Sequence, residues 1–351
     1  NMYIKQQVKV SFNNTESNYF GVTNGVKQGG VLSPTLYSVY IDDMLKKLEQ
    51  SGYGCHVGEV FTGSVAYADD LILLSPTLSG LNGMIKICES YAKDHNIIFN
   101  GKKSKLMRFS KNLSESYADV YVCDQKVDKV QKMEYLGHTI FADRSNSMIG
   151  TIVNDFNVKI NTMLGTFNHL SSCIKNDLLD KYCTSFYGSN VSALYDNDMK
   201  DLCISQRKAI RRVWNLPWRA HSDLLPHISG YMPVDVILDK RFLNFYISGC
   251  HSLNPVLKFI FSNALFCYGR TSRNLNYICY KYGIERLDSS QFNNINSFSS
   301  IIADKWKDSC LSENVRVASQ IKEVVGMRDS FDPWLLERHE CQAIIDFLSQ
   351  M

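Results

Sequence analysis

No Cys-x-x-Cys pair occurs anywhere in the 351 residues, although the chain carries 11 cysteines. None of them keeps zinc-ligand spacing with a histidine, which excludes a zinc finger or knuckle. Cys250-His251 and His339-x-Cys341 are too short and isolated to hold a metal. An odd count without regular spacing fits free thiols in a reducing compartment rather than a disulfide framework. Also missing is any run of about 18 apolar residues, so no membrane span is expected. The most apolar stretch, 256–268, is interrupted by Lys258, Ser262 and Asn263 and reads as a buried helix. No secretory pattern, internal repeat or low-complexity segment is visible, and a soluble intracellular chain is the expectation. Strong charge is lacking too: a net charge of +3 means that any basic surface has to be local. What remains, 45% hydrophobic and 21% charged, is an ordinary globular composition with room for two domains, or one with a long appendage. The chain opens at Asn1 in mid-pattern, as a fragment is expected to.

The most informative stretch is 64–75, in which two short apolar runs flank Asp69 and Asp70. Such a pattern predicts a hairpin with both carboxylates at its tip. Mg²⁺ takes hard oxygen ligands and is usually held by one or two carboxylates plus substrate phosphates. Metal-assisted phosphoryl transfer is therefore the hypothesis, although Asp is also an ordinary turn residue. A second Tyr-x-Asp-Asp, at Tyr40 to Asp43, is a decoy. It falls in a helical pattern, where consecutive side chains point about 100° apart and cannot aim at one metal pair. Asp42 and Asp43 are expected on the polar face of that helix.

Strand-like alternation over 8–12 and 19–22 brackets a turn-rich segment, and three glycines follow at Gly25, Gly29 and Gly30. Ser33 with Pro34 reads as N-cap and first helical residue. Leu36, Val39, Tyr40, Met44, Leu45 and Leu48 then recur at helical spacing. A helix is predicted over 79–95, then a Lys-rich loop and strand over 100–109, a hairpin around Asp124-Gln125, and a strand over 134–140. The order describes an α+β domain, an antiparallel sheet with helices on one face. Beyond about 145 the strand signals fade. Two amphipathic helices are predicted between 149 and 187, divided near Ser171-Ser172, then one over 205–214 and a mostly helical tail.

Three segments in order, Gly25 to Pro34, Ala66 to Asp70, and Tyr135-Leu136-Gly137, resemble motifs of reverse transcriptases, in wording similar to non-LTR (LINE-type) retrotransposon polymerases. The resemblance covers roughly the first 140 residues, and the run Arg211 to Pro217 resembles the region downstream, with lower specificity. It implies a partial polymerase palm over 1–143 with fingers and the first catalytic strand missing, a helical thumb-like region over 144–230, and a helical C-terminal extension over 231–351. It implies an RNA-directed DNA polymerase, with RNA template, DNA primer and deoxynucleoside triphosphates as partners. An endonuclease domain in the full-length polyprotein and a nuclear location are implied as well. Carried over residue by residue, Asp69 and Asp70 are metal-binding and catalytic, with two Mg²⁺ ions. Lys103 falls where the family has a Lys near the triphosphate, with Lys102 and Lys105 as alternative registers. Gln28 and Gly29 line the nucleotide and template pocket, and Tyr135, Leu136 and Gly137 support the primer end. Phosphoryl transfer by two cations about 3.5–4 Å apart suits carboxylates on a fixed scaffold, and a positioned Lys neutralises the leaving pyrophosphate.

The family's palm also needs an Asp from an earlier strand, and no residue before Gln28 can serve: Asn1, Asn13, Asn14 and Asn18 are not carboxylates, and Glu16 sits in a turn. The chain as given is thus expected to lack polymerase activity. The alternative is a non-catalytic nucleic-acid-binding remnant of a retroelement, and the reading frame upstream distinguishes the two. A purely structural α+β protein is set aside by three ordered motifs.

Arg207, Lys208, Arg211 and Arg212 form one basic stripe at helical spacing, followed by Trp214, Trp218 and Arg219. The stripe is either a solvated face over a core Trp or a surface that tracks nucleic-acid backbone. Tyr67 is either a core aromatic beneath the hairpin or a contact to the primer sugar. Asp196 and Asp198 read as turn residues, and His221 and His227 as surface or packing residues.

Overall fold

The computed structural model describes residues 6–22, 25–110, 116–143, 148–195, 197–220, 222, 225–284, 302 and 304. The chain divides into two compact units, Asn1–Met133 and Glu134–Met351.

In the first unit two helices form the scaffold: α1, Ser33–Gln50, and α2, Leu78–Asp94. Ile41, Met44 and Leu48 of α1 recur every three to four residues and meet Met84, Cys88 and Tyr91 of α2 in a buried cluster. The Tyr91 hydroxyl donates to the Tyr40 carbonyl (2.5 Å), and the Tyr40 hydroxyl to the carbonyl of His95. Thr77 caps α2 by accepting from the Gly80 N–H at 3.0 Å, which satisfies one of the orphan donors of the first turn.

Strands in this unit are two to four residues long and pair only in twos among the described residues. The continuous antiparallel sheet expected from the sequence is therefore absent from that part of the chain, although the mixed α+β class stands. The hairpin Ser64–Tyr67 with Asp70–Leu73 buries its inner face on the helix pair through Ala66, Leu71 and Leu73 rather than against a neighbouring strand. Gln6–Val8 pairs with Phe20–Val22, and an inner ladder turns at Asn13 and Asn14, both with positive φ. Lys105–Leu106 lies parallel to Asp128–Lys129. On the other side of α2 a smaller cluster of Ile85, Val120 and Val127 anchors the hairpin Tyr121–Val122 and Gln125–Lys126.

The second unit opens with a hairpin, Lys132–Tyr135 and His138–Phe141, whose first strand begins just before the boundary. Helices follow: α3, Ile149–Thr166; α4, Ser172–Leu178, running into a π-helical turn at Leu179–Cys183; α5, Asp198–Val213; α6, Leu225–Ser229; α7, Val234–Cys250; α8, Pro255–Asn263; and α9, Arg270–Tyr282. A single large core joins Ile152 and Phe156 of α3, Leu202 and Val213 of α5, Phe242 and Tyr246 of α7, and Leu275 of α9. Burying each such side chain stabilises the unit by about 1.5–3 kcal/mol. Buried amides act as staples: Asn274 accepts from the Leu194 N–H (2.9 Å) and donates to the Ser192 carbonyl (2.8 Å).

Two helix expectations need correction. The helix expected to start near Ser205 starts at Asp198, while Asp196 and His221 lie outside the described residues. The stretch 256–268 is not a buried helix, because α8 contains no buried residue and Tyr268 is fully exposed. It packs on α7 through Phe261, whose ring centre lies 5.2 Å from that of Phe245 and 6.1 Å from that of Tyr246, and which lies on Gly249 so closely that a Cβ there would come within 2.4 Å of the ring. None of the nine cysteines among the described residues is in a disulfide. No described helix is long and apolar enough to cross a membrane.

Candidate active site and nucleic-acid interface

In the acidic hairpin Tyr67 opposes Asp70, so the two-residue turn is Ala68-Asp69. Only Asp69 is at the tip; Asp70 is the first residue of the return strand. Ala68 carries the positive φ, 50°, which a two-residue hairpin of the II′ kind requires at that position. Left-handed backbone costs a residue with a Cβ roughly 1–2 kcal/mol. Because strand side chains alternate, Ala66, Leu71 and Leu73 face the helices while Val65, Tyr67 and Asp70 face outward. Tyr67 is 62% exposed, so it is not a core aromatic. Both carboxylates are exposed on a backbone braced from below.

Tyr37 of α1 packs against the same core cluster, and its phenol is pushed above its usual range, first by burial and then by the negative charge of Asp69. The helix thus brings an aromatic hydroxyl to the tip's neighbourhood. Tyr37 escaped the sequence reading, although it sits four residues before Ile41 on the buried stripe. Asp42 and Asp43 are exposed on α1, and Asp42 pairs with Lys46 at 2.6 Å. They belong to the helix's polar face. Oxygen donors of the kind at Asp69 and Asp70 fit a divalent cation as part of a mixed protein and phosphate shell. Among the described residues no group of three or more His, Cys, Asp or Glu gathers that could hold a metal.

Gln28 and Gly29 are exposed in a turn just before α1, and Gly29 has φ 74° with open space where a Cβ would stand. Ser33 does not cap the helix. Its hydroxyl donates to the Lys27 carbonyl at 2.6 Å and so ties down the loop that carries Gln28.

Within the Lys-rich loop, Asn100 gathers the backbone: its side chain accepts from the Lys103 N–H (3.1 Å) and its carbonyl from the Ser104 N–H (3.0 Å). Lys105 is committed to Asp128 at 2.7 Å, and holds that carboxyl below its ordinary range by hydrogen bond and charge. Lys102 and Lys103 are exposed and have no ion pair among the described residues. Gly101 is needed at the base of the loop, since a Cβ would lie 2.6 Å from the Gln125 Cβ and 2.7 Å from the Val122 carbonyl.

In the second unit Leu136 and Gly137, with φ 49° and 74°, form the turn of the opening hairpin. Tyr187 braces it, donating its hydroxyl to the Leu136 carbonyl (2.8 Å) and stacking on His138 with ring centroids 4.5 Å apart. Beneath lies a cavity of about 270 Å³ bordered by Glu134, Thr139, Asp155, Lys159, Ser185 and Tyr187.

The basic stripe of α5 is not one surface. Arg211 is half-buried and clasps the loop after the helix, donating to the Ala220 carbonyl (3.2 and 2.8 Å) and to Ser222 Oγ (3.1 Å). Burial, then the charge of Arg207, lowers its guanidinium from the usual value. Arg212 is exposed but donates to Asn161 at 2.8 Å, and Arg207 and Lys208 are exposed. Trp214 is a core residue whose indole N–H donates to Asn176 (3.1 Å), whereas Trp218 stands in solvent. The side chain of His227 lies outside the description.

Residues 1–140 match the family described as reverse transcriptase (RNA-dependent DNA polymerase). The chain is similar to the RNA-directed DNA polymerase from mobile element jockey of Drosophila melanogaster, 28% identical over 224 residues, which is 60% of this chain and 24% of that protein. The Pol polyprotein from type-2 retrotransposable element R2DM of the same organism is 41% identical over 69 residues, 20% of this chain and 6% of that polyprotein. One from type-1 retrotransposable element R2 of Nasonia vitripennis is 25% identical over 163 residues, 46% of this chain and 15% of that polyprotein. The chain thus spans a quarter or less of the length of these curated relatives. Residues 1–140 are similar to reverse transcriptases, and the relatives matched are proteins named for mobile and retrotransposable elements.

Proposed function

We propose that this chain is part of an RNA-directed DNA polymerase of a non-LTR retrotransposon, residues 1–143 contributing palm, 144–230 a thumb-like region and 231–351 a helical extension. The observation that carries the reading is the acidic hairpin: Asp69 on a two-residue turn and Asp70 opposite Tyr67, both exposed and braced by α1 and α2. Asp69 and Asp70 would hold Mg²⁺, and two such ions, when bound, stabilise the attacking and leaving oxygens of an in-line phosphoryl transfer. Gln28 and Gly29 line the template and nucleotide pocket on a loop held by Ser33. Lys103, or Lys102 beside it, meets the triphosphate; the ion pair of Lys105 with Asp128 argues against the third register. Tyr67 contacts the primer sugar from the outer face of the hairpin. Tyr135, Leu136 and Gly137 support the primer end, with Tyr187 behind them. Arg207, Lys208 and Arg212 meet nucleic-acid backbone, while Arg211 shapes the adjoining loop. Substrates are an RNA template, a DNA primer and deoxynucleoside triphosphates.

Two carboxylates are fewer than the family's donor set, so the 351-residue chain by itself is proposed to be inactive. Primer extension on an RNA template with Mg²⁺ tests this: no product is expected, and product abolished by Asp69→Asn would overturn it. Supplying the preceding segment of the jockey polymerase in cis restores extension on this reading, and Asp69→Asn removes it again. Failure of the fused chain to extend a primer, while it still binds RNA, favours the second reading, a nucleic-acid-binding remnant.

A further inference from the structure

An indole in water is an unusual use of tryptophan, because the side chain carries one of the largest apolar payloads of any residue. Trp218 is 79% exposed, and it stands on a loop that is built rather than slack. The Leu216 N–H donates to the Arg211 carbonyl (2.8 Å), the Ala220 N–H to the Pro217 carbonyl (3.0 Å), and the Arg211 guanidinium closes the loop onto Ala220. Four residues earlier Trp214 does the packing, so the core has no need of the second indole. Arg219 lays its guanidinium 5.1 Å from the Trp218 ring centre, which supports one face and leaves the ring otherwise open. A flat exposed ring with a guanidinium beside it supplies the parts of a base-stacking platform with a phosphate contact.

We infer that Trp218 stacks with an unpaired base of single-stranded nucleic acid while Arg219 meets a flanking phosphate. The inference rests on the proposal that this chain handles nucleic acid, and deepens it by naming the strand state. Duplex bases are already stacked and cannot offer a face, so the platform selects single strands.

The test is equilibrium binding of the whole chain to a labelled oligo(dT) 20-mer, an oligo(U) 20-mer and a duplex of equal length. Trp218→Ala is expected to weaken single-strand binding by about 5- to 150-fold and Trp218→Phe to restore most of it. Duplex affinity should stay within about twofold of the wild type, since phosphate contacts alone set it. Arg219→Ala should lower the slope of log affinity against log salt by roughly 0.7. Single-strand binding by Trp218→Ala at wild-type strength, or an equal loss on single strand and duplex, overturns the inference alone and hands the indole to a protein surface. A wild-type chain that binds none of the three refutes the nucleic-acid reading with it. Because the side chain is exposed, the variants keep the wild-type far-UV spectrum, which confirms that a loss is not misfolding.

Discussion

Lys281→Met removes the cation from a buried cluster in the second unit. Lys281 Nζ lies 2.7 Å from Asp239 Oδ2 and 2.9 Å from Asp235 Oδ2, and the Tyr282 hydroxyl donates to Asp239 Oδ2 at 2.8 Å. Asp239 is 1% exposed and joins α7 to α9 through these bonds. Burial alone would lower the Lys281 ammonium, but Asp239 and Asp235 outweigh it and hold the group above its usual range. Burial pushes the Asp239 carboxyl up, and Lys281 and Tyr282 pull against that push. Methionine fills the space of the lysine stem and strands the carboxylate. Breaking a buried pair from one side costs about 3–5 kcal/mol, a large part of the roughly 5–15 kcal/mol that holds a domain folded. In the variant the folded-state pKa of Asp239 rises further above the unfolded value near 3.9. The deficit relative to the wild type therefore grows as pH climbs from the wild-type pKa of Asp239, itself raised by burial, towards the higher pKa of the variant, by at most about 1.4 kcal/mol per pH unit, and is smaller at pH 5 than at pH 7. All four tryptophans lie beyond residue 134, so indole fluorescence in a urea titration reports the second unit without the first. Asp239→Asn added to Lys281→Met should recover most of the loss. A single variant within about 0.5 kcal/mol of the wild type, or a deficit equal at both pH values, refutes the reasoning.

Gly101→Ala should destabilise the loop that carries Lys102 and Lys103, because its Cβ would press on the Val122 carbonyl at 2.7 Å, an atom with no freedom to leave. An overpacking cost of about 1–3 kcal/mol is expected, read as faster amide exchange over 121–126. Asp119 receives hydrogen bonds and charge from Lys126 and Lys129, which bring its carboxyl down to about 2. A depressed carboxyl stabilises above its unfolded pKa near 3.9 and loses that contribution as pH falls towards about 2. An NMR titration of the Asp119 carboxyl should find its midpoint there and find it returned to the ordinary range in Lys126→Ala/Lys129→Ala.

Helices were the most legible elements. The apolar stripe from Leu36 to Leu48 and the Ser171-Ser172 break fall where the structure has α1 and the start of α4. Local patterns failed wherever a distant partner decides. Ser33-Pro34 has the chemistry of a helix cap, yet the Ser33 hydroxyl goes to the Lys27 carbonyl, which also accepts from the Gly30 N–H. Three lysines in six residues look equivalent until Asp128 claims Lys105 from 23 positions away. Four basic residues at helical spacing read as one stripe until Ala220, nine residues downstream of Arg211, takes the guanidinium out of it.

The acidic hairpin shows how far such reading goes. Apolar runs and a polar break are enough to locate the turn but not its register, since Asn-Gly or Asp-Gly would have marked it and Ala68-Asp69 does not. Packing supplies what the pattern omits: Ala66, Leu71 and Leu73 must all face α1 and α2, which pairs Tyr67 with Asp70 and forces the positive φ onto Ala68. A shift of one residue would turn every side chain of a strand to the other face. On the first strand it would carry Tyr67 inward and leave Ala66 in water; on the return strand it would carry Asp70 inward and leave Leu71 and Leu73 in water. The cost of an alanine in left-handed backbone, roughly 1–2 kcal/mol, is smaller than that of exposing these apolar groups. The core under the hairpin thus holds Asp69 on the turn and Asp70 on the outer face, and the charge of Asp69 adds to burial, the larger cause, in raising the phenol of Tyr37.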